Sequence, residues 1–448
     1  MSLESKTWNS CLHIASISDI GLRRNNNQDS YGMSLAADWA DWQQTGHLLI
    51  VADGMGAHAA GELASKMAVD HVLHLYRKFS DRPPADALVA AIEEANQIIH
   101  RRGESNVAFH RMGTTLSSLL LLPQGAVIGQ VGDSRVYRLR GNNLEQLSFD
   151  HSMAWEIRAA TAGMDESSDL YAAIPKNVIT RSLGPKEQVE VDIEGPFPLE
   201  VGDTFLVCSD GASGPIRNDE FSLILQALEP EHAAQLIVDL ANLRGGPDNI
   251  TAIVAKITGP KMANDPARGQ PIVLEDTVTQ VIHSSQRSIH WGFYTLIALF
   301  AVVTIILLAM EQTLGAIVTG GASLLIATMI GIYKFSGESE EAVPSGFKTT
   351  RKEKAPYEVT VCKASPEVIQ NLHSIVSELR ETSEENEWNI NWAPINQLSD
   401  KAAQALNEKD LKLAAKHYLV IIGLIMAEIR DNKSPSVAKP GDAGPDVG

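Results

Sequence analysis

Cysteine is scarce: three residues in a chain of 448, Cys11, Cys208 and Cys362, lie far apart and form no Cys-x-x-Cys pair. That excludes a local zinc knuckle and a disulfide framework, and it suits a reducing compartment. Cationic side chains are outnumbered, 37 lysines and arginines against 55 aspartates and glutamates, for a formal net charge of −18. So acidic a chain offers no basic face to a phosphate backbone, and nucleic acid is not expected as a partner. The stretch Met1–His13 has no apolar h-region, so no cleaved secretory signal is read. There is no Gly-x-Ser-x-Gly elbow and no Gly-Lys-Ser/Thr after a glycine-rich loop, which argues against serine-hydrolase and nucleotide-hydrolysing chemistry.

What is present is an ordinary folded composition, 44% hydrophobic and 21% charged, with room for two or three domains. Residues 12–258 alternate short apolar runs with a few amphipathic helices. Strands are expected at Leu116–Leu122, Ala126–Val131, Ser134–Leu139, Thr204–Cys208 and Ile250–Ile257. Helices are expected at Gly61–Phe79, Pro84–Arg102, Asp219–Leu228 and Pro230–Leu243. The helices come in pairs between groups of strands, which points to an α+β fold with antiparallel sheets.

A linker at 259–290 leads to two uncharged runs, Trp291–Met310 and Leu314–Tyr333, split by Glu311-Gln-Thr313. Each is long enough to cross a bilayer as a helix, and Trp291, Tyr294 and Tyr333 sit at the outer ends as interface aromatics do. The cations lie outside the pair, at Arg287, Lys334, Lys348, Arg351, Lys352 and Lys354. By the positive-inside rule both flanks are cytoplasmic, so 291–333 is expected to be a two-helix hairpin anchoring the chain to the inner membrane. A second linker, 334–356, precedes a small α-helical unit at 357–431, where Ala402–Tyr418 reads as a helix, a turn at Asn407–Asp410 and a second helix. One such helical pair cannot build a solenoid, so self-association or packing on a partner is expected. Residues 432–448, rich in Pro, Gly and Asp, are expected to be a disordered tail.

The chemistry centres on Asp53-Gly54, at the end of the apolar run Leu48–Val51. Alone, an Asp-Gly step reads equally well as a simple turn. It is repeated, however: Asp210-Gly211 ends the run Thr204–Cys208, Asp133 follows another strand, and Asp248 precedes one. Four carboxylates at strand ends, with no His/Cys ligand set, suit a hard cation such as Mg²⁺ or Mn²⁺. Arg23 and Arg24 lie among polar residues, where a guanidinium could grip two phosphate oxygens.

In order, Gly21-x-x-Arg24-x-x-Asn27-Gln28-Asp29, Asp53-Gly-Met-Gly56 with His58, Gly113-Thr-Thr115, Gly132-Asp-Ser-Arg135, Asp150-His-Ser152, Asn177–Gly184, Ser209-Asp-Gly211 and Asp248-Asn-Ile-Thr251 occur. Together they resemble the bacterial metal-dependent protein phosphatases, the type 2C serine/threonine family. The resemblance spans residues 12–258 and none of the remainder. It implies a four-layer αββα sandwich of two antiparallel sheets flanked by helices. It implies two Mn²⁺ or Mg²⁺ ions, with a third, weaker site. Asp53 would bridge two ions, the Gly54 carbonyl would bind one, Asp210 and Asp248 would complete the other, and Asp133 with Asp210 would hold the third. Arg24 would grip the substrate phosphate, and residues 154–175 would form a mobile flap over the cleft. The implied reaction is in-line attack of a bridging hydroxide on phosphoserine or phosphothreonine, reversing the action of a serine/threonine kinase that is itself a candidate substrate.

Three positions depart from the family pattern. Gln28 stands where many members have Glu, Ala57 where a glycine is common, and Met55 where eukaryotic members carry a histidine. The general acid is therefore unassigned; Asp29, Gln28 and His58 are left with outer-shell or acid roles, and for His58 a structural role is equally open. A cysteine-based phosphatase would need an arginine six residues after its nucleophile, but positions 17, 214 and 368 are Ile, Gly and Val. A catalytically silent binding module is the remaining rival. Retention of Asp53, Asp210, Asp248 and Arg24 argues against it.

Overall fold

A computed structural model describes residues 2–56, 59–160, 178–263, 350–351 and 355–433. The hairpin at 291–333, most of both linkers, the tail from 434, and Ala57 and His58 lie outside the described residues. Among the described residues no helix is long and apolar enough to cross a membrane.

Fourteen strands are described: β1 (Glu4–Trp8), β2 (Leu12–Asp19), β3 (Asp29–Ser34), β4 (His47–Met55), β5 (Gly113–Thr114), β6 (Leu116–Leu122), β7 (Gly125–Val131), β8 (Arg135–Arg140), β9 (Asn143–Gln146), β10 (Asp192–Phe197), β11 (Thr204–Cys208), β12 (Ile250–Ile257), β13 (Thr350–Arg351) and β14 (Glu358–Val361). One sheet has the order β1-β2-β12-β11-β8-β9-β14; the other runs β13-β10-β7-β6-β4-β3, with β5 paired to the end of β4. The central strands are buried on both faces and are mostly apolar without a strict alternation, with Ser117, Ser118 and Gln130 among the exceptions. Leu49, Val51, Leu119, Leu121 and Ile128 of one sheet meet Leu12, Ile14, Phe205, Val207 and Ile253 of the other. The intervening residues Ala15, Ile17, Leu206, Cys208 and Val254 face outward, into a second core beneath helices.

The first helices are α1 (Trp39–Thr45), α2 (Ala60–Lys78), α3 (Pro84–Glu104) and α4 (Met153–Ala160). They are followed by α5 (Asp210–Ser213, one turn), α6 (Asn218–Ala227) and α7 (Pro230–Leu243). Helices α2 and α3 cover one sheet: side chains of Leu88 and Ile92 fill the space above Gly129, and Val69 that above Gly32. Helices α6 and α7 cover the other. The expected layers of helix, sheet, sheet and helix follow. One pairing corrects the expectation of wholly antiparallel sheets: β13 runs parallel to β10, with Asp192 opposite Thr350. A strand that arrives from far along the chain is tied by no hairpin, so its direction is not constrained to be antiparallel.

The C-terminal residues form α8 (Pro366–Glu385), α9 (Trp392–Asn407) and α10 (Leu411–Lys433). Ser365 caps α8, accepting from the Val368 N–H at 3.2 Å, with Pro366 at the first helical position. These residues do not stand apart. Strand β14 pairs antiparallel with β9, extending the first sheet by one strand. Helix α10 lies on α6 and α7, where Ile421, Ile425 and Ile429 share one core with Ile224, Leu236 and Leu240. Each such buried side chain contributes about 1.5–3 kcal/mol. Arg430 Nη1 donates to Asp239 Oδ1 at 2.5 Å, and Asp239 is only 4% exposed at its side chain. Burial raises the Asp239 pKa, and Arg430 is the cation that opposes the rise. The apolar face of α10 is thus covered within the chain and needs no second copy to bury it.

Candidate metal centre

Strand β4 carries Asp53 to one end of the sandwich. In the β3–β4 ladder Asp29 is directly opposite Asp53, so both side chains leave the same face of the sheet. The Asp53 backbone is fixed on both sides. Its N–H donates to Thr115 Oγ1 at 2.9 Å, and its carbonyl accepts from the Thr115 N–H and the Thr114 hydroxyl, each at 2.8 Å. Both Asp-Gly steps need glycine for close approach. A Cβ at Gly54 would stand 2.1 Å from the Gly61 carbonyl oxygen, and one at Gly211 1.9 Å from that of Asn249.

Asp210 opens α5 one residue after β11, and its carboxyl lies close enough to that of Asp53 for each to shift the other's pKa. Asp248 sits two residues before β12 and receives Arg24 Nη2 at 2.6 Å. Asn249 ties the arginine loop to this turn: its amide donates to the carbonyls of Ile20 (2.8 Å) and Asn26 (3.0 Å), and its Oδ1 accepts from the Gln28 N–H (2.7 Å). Gln28 in turn accepts at its carbonyl from the Gly54 N–H at 3.0 Å. Five chain segments are thereby drawn to one point.

Electrostatics set this point apart from an ordinary turn cluster. Asp29 Oδ2 accepts from Ser209 Oγ and Thr251 Oγ1, both at 2.7 Å, while its buried Oδ1 has no hydrogen-bond partner. Burial, with the charges of Asp210 and Asp248, pushes its pKa up to about 7 despite those two bonds. Burial and the neighbouring Asp29 and Asp210 raise Asp53 well above the usual carboxylate range. Burial and Asp248 raise Asp210, whose Oδ1 is also without a partner. Burial, then Asp210 and Asp150, take Asp133 up to about 7, and its Oδ1 is a third buried oxygen with no partner. Arg24 is aimed at the group, its own pKa raised by its bond to Asp248, and the charge of Arg135 also opposes the rise at Asp133 and Asp210.

Among the described residues no three of these side chains close into a finished ligand set. What they do present is acidic oxygen with buried lone pairs unmet, in a cluster that cannot ionise together without a compensating positive charge. That donor set, all oxygen and strongly anionic, fits hard divalent cations.

The match to known proteins agrees with this chemistry. A family model described as protein phosphatase 2C matches residues 23–241. A putative protein phosphatase 2C-type of Streptococcus pyogenes is 36% identical over 237 residues, 52% of this chain and 92% of that protein. The chain belongs to the protein phosphatase 2C family. It is accordingly an enzyme, a protein-serine/threonine phosphatase. The serine/threonine phosphatase stp of Listeria monocytogenes is 33% identical over 250 residues, 55% of this chain and 96% of that one. A solved structure of the PstP catalytic domain, in complex with two manganese ions, is 30% identical and covers 58% of this chain and all of that one, with a TM-score of 0.46.

Of the residues singled out from sequence, Asp29, Asp53, Gly54, Asp210, Asp248, Arg24 and Gln28 come together in the phosphatase domain, and Asp133 stands near enough for the charge of Asp210 to raise its pKa. His58 lies outside the described residues. The supporting residues had no assigned role in the sequence. Ser209 and Thr251 hold Asp29, Asn249 laces the arginine loop, and Thr115 Oγ1 meets Ser134 Oγ at 2.8 Å beside Asp133. His151 Nδ1 accepts from the Gly132 N–H at 3.0 Å, which leaves its Nε2–H to donate to Asp192 at 2.9 Å. All but Asp192 lie inside the motifs already noted, but a hydroxyl or amide there carries no signal of what it will touch.

Proposed function

We propose that this phosphatase hydrolyses phosphoserine and phosphothreonine in proteins with two Mn²⁺ or Mg²⁺ ions held by Asp53, Asp210 and Asp248, with the Gly54 carbonyl as a further ligand. Asp133 with Asp210 would hold a third, weaker ion. The observation that carries the reading is the convergence of Asp53, Asp210, Asp29 and Asp248 on one point, with Arg24 beside them. When bound, the ions supply the Lewis acidity that activates water and offsets phosphate charge. Asp53, donated by a strand whose backbone is clamped at three places, holds its carboxylate at a fixed height in the site. Asp29, bonded by two hydroxyls and titrating near neutrality, can take up or release a proton beside it. Arg24 is half exposed and spends one donor of its fork on Asp248, leaving the others to bind phosphate oxygens.

Replacing Arg24 by alanine should lower kcat/KM for a phosphothreonine peptide by about ten- to hundredfold, the worth of a charged hydrogen bond to phosphate. Lysine should restore only part of it, because the planar fork is lost. Full activity in the alanine variant would remove Arg24 from the site.

We also propose that residues 291–333 tether the enzyme to the cytoplasmic face of the inner membrane. Residues 355–433 pack on the same domain as residues 2–263, which requires both flanks of the hairpin to share one side of any bilayer. The basic residues on both flanks favour the cytoplasmic side. Phosphoproteins made by a serine/threonine kinase, or that kinase itself, are the substrates such a location favours. The full chain should stay with membranes through high-salt and alkaline washes; release by either would contradict the tether.

A further inference from the structure

The aromatic contacts at the base of α4 include a residue from far outside the family match, which ends at residue 241. Tyr357 places its ring 5.2 Å from Phe149, edge to face. Phe149 in turn meets Trp155 of α4 at 6.2 Å and 89°. The Trp155 ring lies between two guanidinium groups, those of Arg135 at 5.5 Å and Arg158 at 5.3 Å. Arg135 is two residues from Asp133, and its Nε donates to the buried Asp150 at 2.8 Å. The stack therefore runs without a gap from the metal-centre side of the domain to the C-terminal strand.

Tyr357 is itself fixed at both ends. Its N–H donates to the Gln146 carbonyl at 2.9 Å, and its hydroxyl donates to Glu194 on β10. Next to it, Glu358 sits 3.7 Å from Arg158 of α4. Helix α4 thus has one face against rings and charges, two of which come from residues 357 and 358. Its opposite residues, Met153 and Glu156, are exposed.

We propose that Tyr357 is a positioning residue for phosphoprotein substrate. Through Phe149 and Trp155 it sets the attitude of α4 beside the metal centre, so that strand β14 belongs to the substrate-binding apparatus of the phosphatase. The proposal rests on the phosphatase reading of the centre. A small aryl phosphate needs only the metal ligands and Arg24, whereas a folded or peptide substrate extends past them onto neighbouring surface. Losing the Tyr357 ring should therefore act on peptide substrates and spare the small one.

The test uses the full chain with Mn²⁺ present, measuring kcat and KM for p-nitrophenyl phosphate and for a phosphothreonine peptide. Tyr357→Ala should raise the peptide KM by about three- to tenfold, the factor matching one or two lost aromatic edge contacts, and leave p-nitrophenyl phosphate turnover unchanged. Tyr357→Phe keeps the ring but loses the bond to Glu194, and should stay closer to the parent than to the alanine variant; Val201→Ala, at an exposed position outside this stack, should change nothing. Equal losses on both substrates would make Tyr357 merely structural and overturn the proposal, as would an unchanged peptide KM or a Phe variant as impaired as the Ala one. A parent protein inactive on both substrates would instead sink the phosphatase reading, and this proposal with it.

Discussion

Asparagine at position 53 should cut phosphate release by at least about a hundredfold and, without added cation, raise the thermal stability of the protein. The two effects have one cause. Asp53 is pushed far above its ordinary pKa by burial, then by Asp29 and Asp210, so its ionised form is a cost to the fold. An amide has nearly the same shape, can donate a hydrogen bond to a neighbouring carboxylate, and carries no charge for Asp29 and Asp210 to repel. Removing a carboxylate of purely structural value would have the opposite sign, because a partner would be left unmet. Calorimetry and an activity assay on the same preparation distinguish the two. A variant that is both inactive and destabilised would show that Asp53 holds the fold together rather than a cation.

Stabilisation by Mn²⁺ should grow steeply with pH. Asp29 and Asp133 both titrate near 7, above the ordinary aspartate value of 3.8. Between those two values the folded protein holds protons that the unfolded chain has released. The resulting contribution to stability is complete below about pH 3.8 and is lost as pH climbs through about 7. A divalent cation binds the ionised form and competes with those protons, so it recovers what the rise in pH removed. At a cation concentration of about 100 times Kd the gain is about 2.7 kcal/mol. Thermal unfolding at about pH 5 and about pH 7.5, with and without MnCl₂, measures the difference, which should be small at the lower pH and several degrees at the higher. An equal shift at both, or none, would mean that the ion does not displace protons from these carboxylates.

The parts of the fold that sequence made legible are those whose burial is continuous. The runs at 116–122 and 204–208 are buried along their whole length, and 250–257 everywhere but at Lys256, so their composition alone marks them as strands. Strand β1, with Glu4, Ser5, Lys6 and Thr7 exposed, has no such mark. Strand β14 is four residues long, half of them exposed, and its partner β9 lies more than two hundred residues earlier. A local pattern cannot report a pairing at that separation, and so the C-terminal helices read as a unit waiting for a partner. Helix α8 carries a local signal: Ser365-Pro366 followed by Val368, Ile369, Leu372, Val376 and Leu379 is a capped start with helical spacing.

The metal centre divides along the same line. Two Asp-Gly steps at the ends of apolar strands are legible because a charge there is costly without a purpose. Gly54 and Gly211 add a signal that the structure explains, since neither site tolerates a Cβ against the backbone it faces. The bond from Arg24 to Asp248 and the two hydroxyls on Asp29 are different. They join segments more than one hundred and fifty residues apart, and serine, threonine and arginine occur too widely to single themselves out.

Phosphate release from a phosphothreonine peptide by the full chain, set beside its Asp53→Asn variant, bears most directly on the metal centre. The parent should release phosphate with Mn²⁺, stop when a chelator is added, and resume when Mn²⁺ is returned in excess; the variant should stay inactive throughout. Release that survives the chelator, or a variant as active as the parent, would contradict a cation held by Asp53.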